Sequence, residues 1–125
     1  MTMQAREHLA AARELLDAAD RRYAAGDRIG ASEKLWQAAV YAIQAGAKHH
    51  GWDCDGSIEA LVKTADRLEA EHDDIQIGSA FAVSANFHDN CNEQSALYGY
   101  MEDFDFQFSR PTVSRLVFRV RQALA

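Results

Sequence analysis

The sequence predicts an all-α protein: an up-and-down bundle of about five helices, with a short extended aromatic strip before the last. Apolar residues recur at steps of three and four through most of the chain, the spacing that lines one face of a helix. Alanine is abundant and proline occurs once, at Pro111, a composition that favours helix. A chain of 125 residues can enclose one core but not two of usual size, so residues 1–125 form a single domain.

The elements follow in order. Leu9, Ala12, Leu16, Ala19 and Tyr23 make the buried stripe of a first helix, while Arg6, Arg13, Asp17 and Asp20 fall off it and can face water. Gly26 stops this helix, and Asp27 is a ready N-cap for a second one reaching His50. Trp36, Val40, Ile43, Ala47 and His50 line one face of the second helix. Its many alanines and Gly46 make it slim enough for close neighbours. Gly51 ends it, and Asp55 or Ser57 caps a third helix buried along Ile58, Leu61, Val62, Ala65 and Leu68. "EHDD" closes the third helix, and a fourth follows from about Ile75 to Asn90. Phe104, Phe106 and Phe108 then alternate with Asp103, Asp105 and Gln107, a period of two that reads as an extended strip pressed on the bundle or on a second subunit. Ser109 and Pro111 open the last helix, with Val113, Leu116, Val117, Val120 and Leu124 inward.

Composition narrows the function classes. The formal charge of −6 argues against wholesale wrapping of nucleic acid. The balance is uneven, however: from Ser109 onward there are four arginines and no acidic side chain, so a local basic face or a solvated helix surface are both open. No apolar run approaches the roughly 20 residues of a membrane helix, and the charged N-terminus lacks a signal-peptide core, which places the chain in the cytoplasm. Cys54 and Cys91 stand apart and read as free thiols.

"GDRIGASEKLWQAAVYAIQ" followed by "SANFHDN" resembles a bacterial or archaeal branch of the HEPN superfamily, over about residues 10–92. Members share an ASEKxWxAA-type second helix and an LHxNFYxN-type fourth helix. The resemblance implies a helical bundle that usually dimerises through long helices, with roles linked to nucleotides or RNA. Some members are metal-independent ribonuclease toxins and some accompany nucleotidyltransferases. This chain departs from the pattern: Ser84 stands where the branch has histidine, and His88 where it has tyrosine, although Asn86 and Phe87 match. The ribonuclease members carry an arginine, four to six residues, then a histidine; only Arg67 and His72 satisfy that spacing here. On a regular helix the two are about 140° apart, and Leu68 follows the arginine where the toxins favour a polar residue.

What the resemblance implies is a nucleotide- or RNA-associated binding module, forming a homodimer and linked to a toxin–antitoxin or nucleotidyltransferase system. Its ligand would be held by Ser84, Asn86 and His88 in a small polar cleft. The alternative is a divergent metal-independent ribonuclease, with Arg67, His72 or His88 as the residues able to supply acid–base chemistry. A second alternative is a metal-binding bundle. His49, His50, Asp53, Cys54 and Asp55 offer suitable donors, but adjacent helical histidines point about 100° apart and no second ligand pair lies at HxxxH or CxxC spacing. The Glu69-x-x-His72 step stands alone, unlike the paired steps of di-metal bundles. The cluster therefore reads as a helix terminus, and neither a metal site nor a cofactor is assigned.

Overall fold

The computed structural model describes all 125 residues and contains five helices and no strand. These are α1 (Met3–Ala24), α2 (Arg28–His50), α3 (Ile58–His72), α4 (Gln76–Cys91) and α5 (Asp103–Leu124). They pack as one bundle with α2 at its centre, in contact with every other helix. Composition explains that position. Ala31, Ala38, Ala39, Ala42, Ala45, Gly46 and Ala47 are all buried on α2, so neighbours approach it from several sides. A close approach falls at Gly46, where an added β-carbon would strike the Leu68 side chain of α3. No helix is long and apolar enough to cross a membrane.

Helix ends follow the sequence signals closely. The Thr2 hydroxyl accepts the Ala5 N–H at the start of α1, Asp27 accepts that of Gly30 for α2, and Ser57 accepts that of Ala60 for α3. The Gly30 N–H, with Arg22 beside it, also holds the Asp27 carboxyl below the usual range. Gly26 and Gly51 take the left-handed conformation where α1 and α2 end. Asp73 adopts the same conformation after α3.

The aromatic strip is the correction. Phe104, Phe106 and Phe108 are not extended; they occupy the first two turns of α5, which begins six residues before Ser109 and runs through Pro111. One buried and two exposed positions on the same helix imitate a period of two there. Phe106 turns inward, stacked on Tyr23 at 4.3 Å and edge-on to Phe87 at 5.4 Å. Phe104 and Phe108, one turn apart, point outward together. The start of α5 is held by the Asp105 carboxylate, which accepts the Glu102 N–H at 3.0 Å. Asp103 accepts hydrogen bonds from Tyr23 Oη and Arg28, tying α5 to α1 and α2, and these two donors hold its carboxyl below the ordinary range.

Candidate functional site

The residues expected to form a polar cleft on α4 do not converge. The Ser84 hydroxyl is fully buried and donates to the Ala80 carbonyl at 2.8 Å, a bond internal to the helix. His88 lies about 40° from Ser84 around the helix, half-buried, with its ring 4.8 Å from Trp36. Asn86 projects to the opposite, exposed side. The buried polar residue of this segment that reaches other segments is Asn90. Its amide donates to Ser32 Oγ at 2.9 Å, its Oδ1 accepts the Met101 N–H, and its carbonyl accepts the Gly99 N–H. Trp36, Ser32, His88 and Asn90 together form the seam between α2 and α4.

The second set does converge, with help from residues at the end of α2. The Arg67 guanidinium lies 3.9 Å over the Trp52 ring. His50 stacks on the same indole at 4.4 Å and 15°. His72, one turn and a half beyond Arg67, places its Nε2 2.9 Å from Nε2 of His50. At that distance one imidazole donates its proton and the other accepts it. Burial, with His49 and His72 nearby, lowers the His50 pKa below the usual imidazole value. His49 Nδ1 is buried with no hydrogen-bond partner. The helical separation of Arg67 and His72 is thus bridged by Trp52 and His50. Leu68 between them is fully buried against Gly46, which explains an apolar residue at that position.

Trp52 also borders a cavity of about 350 Å³, with Gln44, Lys48, Asp53, Cys54 and Asp55 around it. The electrostatics here oppose an anion: between Lys48 and Ile75 there are eight carboxylates against Lys48, Lys63 and Arg67. No group of three His, Cys, Asp or Glu side chains is gathered as metal ligands.

A cavity of about 440 Å³ between α1 and α5 has the opposite character. Arg6, Arg13 and Arg121 line it, over Leu9 and Ala10, with Met1 and Ala125 at its margin. None of the three arginines lies within 4 Å of a carboxylate, whereas Arg22, Arg28, Arg110 and Arg119 are all ion-paired. Sequence periodicity placed Arg6 and Arg13 in water but could not show that α5 brings Arg121 beside them. The available signal was the acid-free run after Ser109.

Comparison with known proteins bears on the fold and the family. A protein from Sulfolobus solfataricus, solved by crystallography, superposes with a TM-score of 0.76 at 20% identity, covering 92% of this chain and 97% of that one. That likeness shows a shared helical fold. No curated protein matches the sequence. The model of the archaeal PaREP1/PaREP8 family matches residues 7–117, and the chain belongs to that family.

Proposed function

We propose that this chain is a non-enzymatic, HEPN-like binding module for a phosphate-bearing nucleotide or RNA segment, taken up at the cavity between α1 and α5. The observation that carries the reading is the trio Arg6, Arg13 and Arg121 around one cavity, free of carboxylate partners, in a protein of net charge −6. Planar guanidinium groups bind phosphate oxygens two at a time. The first turn of α1, which supplies Arg6, adds the positive end of a helix dipole. A volume of about 440 Å³ is of nucleotide size. The HEPN resemblance of α2 and α4 supports the ligand class, and in that context the protein partner is a nucleotidyltransferase, detectable by co-purification. Thermal-shift titration with inorganic phosphate, a mononucleotide and a short single-stranded RNA tests the reading. Stabilisation by the phosphate-bearing ligands supports it; no shift with any of the three overturns it.

A second reading, metal-independent ribonuclease, is favoured by one observation: the His50–His72 contact beside Arg67. One neutral imidazole would take the 2′-hydroxyl proton as the 2′-oxygen bonds to phosphorus, and the His50–His72 pair, having gained that proton across its Nε2–Nε2 contact, would return one to the leaving 5′-oxygen as the P–O5′ bond breaks, with the guanidinium facing the phosphate. The surrounding carboxylates place this reading second. Cleavage of single-stranded RNA in chelator, lost in His72→Ala, would establish it; full activity in that variant would exclude it.

A further inference from the structure

The packing of α2 on α3 brings two imidazoles together nitrogen to nitrogen. The helices approach closely where Gly46 admits the Leu68 side chain. One turn further along each helix, and only about 40° round from those positions, stand His50 and His72. Their Nε2 atoms lie 2.9 Å apart. Both residues are half-buried, so the fold holds the rings and solvent still reaches them. His50 lies flat against Trp52 at 4.4 Å, and the Arg67 guanidinium steadies the same indole from 3.9 Å. Beside the pair, His49 sets its ring edge-on to His50 at 4.9 Å, with a buried Nδ1 that has no hydrogen-bond partner. An orphaned nitrogen of this kind is what an ordered water or ion satisfies.

We propose that His50 and His72 form a two-histidine site for a divalent ion of the nickel–copper class, with water in the remaining positions. The separation selects the class. Two nitrogens bound at about 2.05 Å in adjacent right-angle positions lie about 2.9 Å apart, whereas the tetrahedral angle of zinc needs about 3.3 Å. The observed 2.9 Å is therefore the edge of a square-planar or octahedral shell. No third protein donor is gathered with the pair, which leaves the other positions to water. Protons balance. Without an ion, one Nε2–H donates to the other Nε2; with it, the donor ring carries that proton on Nδ1, and none leaves. Charge favours a cation, because between Lys48 and Ile75 eight carboxylates face three basic side chains. The site is separate from the arginine-lined cavity between α1 and α5 and stands or falls apart from it. It does compete with the ribonuclease reading, since an ion occupies the lone pair that would take the 2′-hydroxyl proton.

Calorimetric titration of Ni(II) into the untagged full chain, carrying Trp36→Phe so that Trp52 is its single indole, reads the site in two ways. One ion per chain is expected. Because His50 stacks on Trp52, the paramagnetic ion should quench Trp52 emission in step with the heat. His50→Gln and His72→Gln should each weaken binding at least about tenfold, no less than the loss of a supporting hydrogen bond costs a metal site. His8→Gln on α1 should leave it unchanged. Circular dichroism checks the fold of each variant; His72 closes the last turn of α3, so its replacement still reports if His50→Gln unfolds. Four results would each overturn the site: no binding up to millimolar Ni(II), heat without quenching, equal affinity in His72→Gln, or tighter binding of Zn(II) than of Ni(II).

Discussion

Asn90 is 1% exposed, and all its polar atoms except the helical N–H serve contacts between segments. It joins α2 through Ser32 and fastens the loop before α5 through Gly99 and Met101. Removing it leaves the buried Ser32 hydroxyl and Met101 N–H without partners. Asn90→Ala should cost about 2–4 kcal/mol of stability, adding lost bonds to stranded groups. A loss below about 0.5 kcal/mol in urea unfolding would show that water replaces the amide easily. His50 makes a different prediction. Its folded pKa lies below the unfolded value, so the unfolded chain binds more protons between the two, and its contribution to stability falls as pH drops through about 6.5. Melting temperature measured from pH 7.5 to 5.5 should decline more steeply in wild type than in His50→Gln. Parallel declines would contradict a depressed His50.

At the scale of elements, α2 decides what the bundle tolerates. Alanine at position 46 would gain about 1 kcal/mol of helix propensity but would strike Leu68, itself fully buried. The steric loss wins, and Gly46→Ala should destabilise by about 1–2 kcal/mol. Equal or greater stability than wild type would show that α3 moves away without penalty. The elements themselves were legible in sequence where cap and period agreed: Asp27 with Gly30, Ser57 with Ala60, Gly51 closing α2. Around Phe104 they disagreed. Three alternating phenylalanines imitate a strand when one faces the core and two face out from consecutive turns. Pro111 then suggested a helix start, although the helix passes through it and forgoes one hydrogen bond at the Gln107 carbonyl. The Glu102-to-Asp105 spacing was the overlooked start signal.

Across the whole molecule, sites depend on distances in sequence that periodicity does not span. The motif residues of α2 and α4 were visible, yet Ser32, Trp36, His88 and Asn90 meet each other and act as packing. Arg67 and His72 were visible as a spacing, but the link through Trp52 and His50 requires α2 and α3 to lie side by side. Arg6 and Arg121 are 115 positions apart, and only folding makes them neighbours. The cavity between α1 and α5 thereby gathers three arginines that make no ion pair, while the segment at the α2–α3 end carries an excess of carboxylates. The binding reading rests on that arginine trio. Its most direct test is calorimetric titration of a short single-stranded RNA into wild type and the Arg6→Gln, Arg13→Gln, Arg121→Gln variant at two salt concentrations. The account predicts binding that weakens with salt and falls at least about tenfold, or about 1.4 kcal/mol, in the variant. Equal affinity in the two proteins would contradict it.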